Sequence, residues 1–215
     1  MKRSHRSGFT LLEVVLASAL LSAVLGAALM VVQRGKSAMA AGHLHAHAEA
    51  RAHRALERVS AELRGAGINA LTPAINTNGL TSTATLTFDS IIGVSDAAPL
   101  WGQPVRIARV AAPEDLNNGQ DDDCDDVVDE GNSMLTRDVG SAGQAAFLLC
   151  TRVCELAQDE LAHGHDDNGN GLADEAGFSI QRIGNMPTIR LSVEEPGQGG
   201  ETGVATVSTS ITLRN

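Results

Sequence analysis

The chain has 215 residues, with 16 Lys and Arg against 26 Asp and Glu, a net charge of −10. That balance argues against nucleic acid and anionic lipid headgroups as partners. Four Phe, one Trp and no Tyr leave too few rings for an aromatic platform that would stack sugars or bases.

The N-terminus opens with a short basic leader, Lys2, Arg3 and Arg6. Then comes Gly8-Phe9-Thr10-Leu11-Leu12-Glu13, and the apolar run continues to Val32. Residues 9–32 carry one charge, Glu13. At 1.5 Å per residue they reach roughly 36 Å, enough for a hydrocarbon core of about 30 Å. The leader's cations predict a cytoplasmic N-terminus and an external C-terminal bulk. A secretory signal would place small residues after its apolar core and lose that core on cleavage. Here the expected cut, after Gly8, precedes the core, so the mature chain keeps its helix.

This pattern resembles the Gly-Phe-Thr-Leu-x-Glu signature of type IV prepilins, shared by type IV pilins and type II secretion pseudopilins. The resemblance covers about the first thirty residues. It implies cleavage between Gly8 and Phe9 by a prepilin peptidase and N-methylation of Phe9. It also implies that Glu13 pairs with the Phe9 ammonium of a neighbouring subunit and sets filament register. A lone carboxylate at mid-membrane depth costs roughly 2.5–3.5 kcal/mol, less near the edge, so a partner is needed unless Glu13 sits at headgroup depth. Loss of the leader leaves 13 basic and 26 acidic side chains, a net of −13. Ala17, Ser18, Ala19, Ser22, Ala23, Gly26, Ala27 and Ala28 suit close helix packing, in a filament or any membrane bundle.

From Gln33 to about Arg64 the chain reads as continued helix, Ala-rich and free of Pro. Leu56, Val59 and Leu63 share a face that Ala48, Ala52 and Ala55 extend, with Arg54, Glu57, Arg58 and Glu62 off it. Gly65 and Gly67 provide the stop. Residues 68–79 read as loop. Strand-like runs follow at 84–88, 105–110, 145–149, 178–183, 189–193 and 205–213. Ile189, Leu191 and Val193 point one way, as do Val207, Thr209, Ile211 and Leu213. Gly197 to Gly200 read as a hairpin loop between the last two runs.

The predicted fold class is α+β, type IV pilin-like: a long N-terminal helix whose outer half packs on an antiparallel sheet with inserted acidic loops. The divisions are a leader at 1–8, a membrane half at 9–32, an external helical half at 33–66 and a β-rich head at 67–215. The helix around Leu56-Glu57-Arg58 and the closing Ser210-Ile211-Thr212-Leu213-Arg214 most resemble a J-type minor pseudopilin or a W-type minor pilin.

Fifteen of the 26 acids fall in residues 114–130 and 159–175, which cover most of two acidic loops at 115–131 and 166–177. Asp121-Asp122-Asp123-Cys124-Asp125-Asp126-Val127-Val128-Asp129-Glu130 repeats 45 residues later as Asp166-Asp167-Asn168-Gly169-Asn170-Gly171-Leu172-Ala173-Asp174-Glu175. Oxygen donors at alternate positions suit Ca²⁺, which takes about six to eight hard oxygen ligands. The candidate ligands are Asp121, Asp123, Asp125, the Val127 carbonyl, Asp129 and Glu130. In the second loop they are Asp166, Asn168, Asn170, the Leu172 carbonyl, Asp174 and Glu175. Gly171 permits the tight curl; Asp126 holds the matching place in the first loop. Neither loop has a Glu twelve residues in, where Asn132 and Gly177 stand, so neither is a full EF-hand. They resemble the short calcium loops of dockerins and thrombospondin type 3 repeats. The first also resembles Asp-Cys-Asp-x-x-Val-Asp-Glu-Gly metal-binding repeats of bacterial surface proteins. Solvated acidic turns are the alternative. If metal binds, these loops lose order without it.

Cys124, Cys150 and Cys154 predict one disulfide and one free thiol in an oxidising compartment. Cys150 with Cys154, or Cys124 with either, both stay open, with a lean to the long-range bond. His43 and His47 sit one helical turn apart, with His45 and His53 nearby. They read as polar residues on an exposed face before they read as a metal pair. His163 and His165 flank the second loop.

No Gly-x-Ser-x-Gly, His-Glu-x-x-His or phosphate-loop motif occurs, so no enzyme is predicted. The expected function is a minor pilin or pseudopilin that helps initiate or cap a pseudopilus or pilus, with a calcium-stabilised head. Its expected partners are other pilins or pseudopilins, the prepilin peptidase, the inner-membrane assembly machinery and the membrane. The expected location is the inner membrane, single-pass, with the head in the periplasm, and then the filament. The competing expectation is a membrane-anchored calcium-binding surface or adhesive protein with no filament role.

Overall fold

A computed structural model describes residues 10–72, 83–96, 98–113, 129–158, 160–169, 172–183, 186–197 and 201–213. Helix α1 spans Leu11–Leu63. Thr10 caps its first turn, with the Glu13 amide donating to Thr10 Oγ1 at 3.3 Å. The helix ends where Gly65 N–H donates back to the Glu62 carbonyl at 3.2 Å. Two compact units divide the chain, residues 1–40 and 41–215.

In the first unit every described residue up to Ala40 is exposed except Gly26, which is half-buried. Hydroxyls in this run bond within the helix. Ser22 Oγ donates to the Ser18 carbonyl at 2.8 Å and Ser18 Oγ to the Val15 carbonyl at 2.9 Å. Such back-bonding lets Ser sit in an apolar segment without an orphan donor.

The second unit packs residues 48–63 of α1 against one antiparallel sheet of eight strands. These are β1 Ala66–Thr72, β2 Thr85–Ser95, β3 Ala98–Ala111, β4 Gly131–Arg137, β5 Ala145–Val153, β6 Phe178–Ile183, β7 Met186–Pro196 and β8 Thr202–Ser210. The order is β1-β2-β3-β4-β5-β7-β6, and β8 pairs with β7 along its other edge. Ala48, Ala52, Ala55, Leu56, Val59 and Leu63 are buried, as their spacing predicts. They meet Leu86, Phe88, Ile107, Leu135, Phe178, Ile180, Ile189, Leu191 and Val193. Each large side chain removed from water contributes about 1.5–3 kcal/mol. The alanines bring the helix backbone close to the sheet.

The β7–β8 hairpin follows the alternation expected of it. Ile189, Leu191 and Val193 are buried to 1% exposure or less, and Ala205 and Ile211 lie on the same side. Gly197 N–H donates to the Glu201 carbonyl at 2.6 Å, closing the hairpin. Leu44 of α1 fits against Gly197 and Gly203.

Two strands correct the sequence reading. Residues 68–79 were expected as loop, yet β1 occupies Ala66–Thr72 and pairs with β2. Its Gly67 lies against the Trp101 ring, where a Cβ would collide. β4 was not expected at all, because Gly131-Asn132-Ser133-Met134-Leu135-Thr136-Arg137 looks polar. It is paired on both sides, with β3 and β5, so the backbone ladder sustains it. β2 and β3 also run well past their expected ends, through Pro99 and Pro104, to a turn at Asp96.

β5 and β7 touch at a single register pair, Val153 with Val193, and diverge beyond it. Arg51 of α1 bonds both flanks of that split, to the Thr151 carbonyl at 2.6 Å and to Glu195. Arg137 and Arg58 both pair with Glu62, tying the helix end to β4.

Candidate functional site

Gly8 and Phe9 lie outside the described residues. Glu13 stands in the first turn of α1, where a negative charge suits the helix N-terminus. From Leu11 to Val32 the large apolar side chains are exposed, Leu16 at 62%, Leu20 at 61% and Leu29 at 64%. α1 is long and apolar enough to cross a membrane.

The second acidic loop is described except at Asn170 and Gly171. Its backbone is folded around its own carboxylates. Asp174 adopts φ 50° and accepts the amides of His163 at 3.1 Å and Gly164 at 2.9 and 3.0 Å. Asp166 accepts the Gly169 amide at 2.7 Å. Asp167 accepts the Leu161 amide at 3.0 Å and pairs with His163 at 3.1 Å. Glu160, buried to 6% exposure, reaches across the loop to the amides of Asn168 at 3.3 Å and Asp174 at 3.1 Å. Glu175 turns into the head. Its side chain is fully buried and meets Arg190 at 3.1 Å, Gln181 at 2.7 Å and Asn168 at 3.4 Å.

Most of the first loop, with Asp121, Asp123, Cys124, Asp125 and Val127, lies outside the described residues. Its exit, at Asp129 and Glu130, matches that of the second loop. Asp129 takes φ 51°, and Glu130, like Glu175, is buried. Ala112 N–H donates to the Glu130 carbonyl at 3.4 Å, as Ala157 N–H does to the Glu175 carbonyl at 2.7 Å. Arg109 bonds the Asp129 and Val153 carbonyls beside this exit. Burial pulls the Arg109 guanidinium below its ordinary range, and Glu155, Cys154, Asp129 and Glu130 pull it back.

Sequence reasoning missed Glu160. The signal was present: the 45-residue repeat extends upstream, pairing Asp115-Leu116 with Glu160-Leu161 and Gly119 with Gly164.

The donor chemistry of the second loop fits a hard cation. Asp166, Asn168, the Leu172 carbonyl and Asp174 supply oxygens, and a carboxylate that accepts an amide keeps further lone pairs. Among the described residues, no three His, Cys, Asp or Glu side chains gather at one point. The described bonds hold the loop through amides and carboxylates, with Glu175 engaged by Arg190.

Cys150 and Cys154 carry free, buried thiols. Cys150 lies in β5 and Cys154 just beyond its end, with Arg152 between them at φ 54°. Cys124 lies outside the described residues. Burial, and then Glu194, push the Cys154 thiol far up; burial also raises Cys150, against the pull of Arg51. Neither is a poised nucleophile. His43 and His47 are exposed on α1, while His45 Nδ1 lies 2.8 Å from the Val204 carbonyl.

Residues 3–29 match the prokaryotic N-terminal methylation motif. No curated protein and no solved structure matches the chain. The motif supports a pilin- or pseudopilin-type subunit, which is structural rather than enzymatic. It implies processing by a prepilin peptidase and assembly with other pilins. With the apolar helix that follows it, it supports an inner-membrane anchor. The described architecture, a long N-terminal helix and an antiparallel sheet, is that of an α+β, type IV pilin-like fold.

Proposed function

We propose that the chain is a minor pilin or pseudopilin, most like a J-type minor pseudopilin or a W-type minor pilin, that helps initiate or cap a pseudopilus or pilus. The observation that carries this reading is the Gly8-Phe9-Thr10-Leu11-Leu12-Glu13 signature running directly into a helix whose large apolar side chains are exposed. Residues 1–8 are removed, 9–32 anchor the chain, 33–66 carry the helix outward and 67–215 form a periplasmic head. Phe9 is the methylated new N-terminus, and its ammonium pairs with Glu13 of a neighbour. The Glu13→Ala variant should insert and be cleaved normally, yet fail to enter filaments. Its normal incorporation would remove the charge-pairing mechanism.

In this reading the two acidic loops bind Ca²⁺. Asp166, Asn168, Asn170, the Leu172 carbonyl and Asp174 serve the second, and Asp121, Asp123, Asp125, the Val127 carbonyl and Asp129 the first. The support is the repeated oxygen-donor pattern and the shared loop exits. Glu130 and Glu175, buried at those exits, anchor the loops to the head. Calcium at a hundred times its Kd should stabilise the head by about 2.7 kcal/mol, so a chelator should lower its Tm. An unchanged Tm at saturating Ca²⁺ leaves the loops as solvated acidic turns. A membrane-anchored surface protein is the alternative, and it would be uncleaved and indifferent to Glu13→Ala.

A further inference from the structure

α1 carries His43, His45, His47 and His53 in its outer half, and the structure sorts them. His45 is engaged: its Nδ1 lies 2.8 Å from the Val204 carbonyl oxygen of β8. His53 lies 3.7 Å from Glu49, one turn back on the helix. His43 and His47 have neither a hydrogen bond nor an ion pair among the described residues, and both are exposed.

Position on the helix explains the sorting. Each residue turns the helix by about 100°, so two residues turn it by about 200°. His45 meets β8, so His43 and His47, two residues to either side, point away from that strand. Four residues complete just over one turn, which brings those two back to one face, one above the other. Their Cβ atoms then stand about 5–6 Å apart, close enough for two imidazoles to meet one ion at about 2.0–2.1 Å. The surroundings leave room for that ion. Ala46 and Ala50 beside them are small and exposed. Arg51, one turn beyond His47, sends its guanidinium to Glu195 and the Thr151 carbonyl, so its charge is already answered.

We propose that His43 and His47 form a two-histidine site for a divalent transition-metal cation, with Zn²⁺ as its simplest probe and water in the remaining positions. Neutral imidazole nitrogen suits Zn²⁺, Cu²⁺ and Ni²⁺, whereas Ca²⁺ takes hard oxygens. The site is therefore chemically distinct from the acidic loops. The ion clamps successive turns of α1 just before the stripe, Ala48 to Leu63, that packs on the sheet. A closed structural zinc site has four protein ligands, so an ion held by two keeps exchangeable positions. This inference depends on neither the methylation motif nor calcium.

Calorimetric titration with Zn²⁺ tests it, on the full-length chain purified in detergent without a histidine tag and held in excess Ca²⁺. The wild type should bind Zn²⁺ saturably. His43→Ala and His47→Ala should each weaken that binding by at least about tenfold, a loss that even an outer-shell partner commonly causes. Both positions are exposed, so each variant should keep the wild-type Tm in the absence of Zn²⁺. Adding Ala50→His to His43→Ala places an imidazole three residues beyond His47, on the same face, and should restore binding. The rival site is His163 with His165, beside Asp167 in the second loop. Replacing both with Ala should leave the affinity unchanged. No saturable Zn²⁺ binding, or binding that survives His43→Ala and His47→Ala, would overturn the proposal. So would its loss in the His163→Ala, His165→Ala variant.

Discussion

The two halves of α1 obey different solvents. From Leu11 to Val32 the leucines and valines are exposed. From Ala48 to Leu63 a narrow stripe of alanines with three larger residues is buried almost completely. The buried core draws its described helical residues from the second half, from Ala48 to Leu63. The hydrophobicity of the first half therefore answers to lipid or to neighbouring helices, and that of the second half answers to the sheet.

Charge substitution breaks this contrast most sharply. Val59→Asp places an unpaired carboxylate in the core, costing about 5 kcal/mol or more, enough to unfold a head of ordinary stability. Leu20→Asp should leave the head's denaturant midpoint unchanged and disfavour membrane insertion by about 2.5–3.5 kcal/mol. Denaturation followed by β-sheet circular dichroism, beside membrane fractionation, reads both. Parallel effects of the two substitutions would contradict the division.

The second unit has its own internal contrast, between apolar contacts and buried charge. Arg190→Ala leaves the fully buried Glu175 without its cation, which costs about 3–5 kcal/mol. Replacing both partners with apolar residues should recover much of that loss. A double variant as unstable as Arg190→Ala would mean that Glu175 matters through Gln181 and Asn168 instead.

The smallest effect is a pH dependence. Burial raises the Cys154 and Cys150 thiols above their ordinary value, so the native chain keeps protons that the unfolded chain releases. Their contribution is full below about pH 9 and is lost as pH rises further. Tm should fall more steeply above pH 9 in the wild type than in Cys154→Ala. Identical slopes would show that these thiols do not control the loss.

Local pattern made the helical face and the β7–β8 hairpin legible. Leu56, Val59 and Leu63 repeat at helical spacing, and Ile189, Leu191 and Val193 alternate. β1 and β4 were not legible. Both are rich in Gly, Asn, Ser or Thr, and they become strands because neighbours pair with them: β2 for β1, β3 and β5 for β4. Such pairing is nonlocal and leaves little trace in a short window. The acidic repeat was legible, but the inward turn of Glu175 was not. It depends on Arg190, fifteen residues away on β7.

The central claim is that this chain is a prepilin-type subunit. Intact mass and N-terminal sequence of the protein purified from its native membrane test it most directly. The account predicts a chain that begins at Phe9 and is heavier by one methyl group. A chain still beginning at Met1, in cells with an active prepilin peptidase, would contradict it.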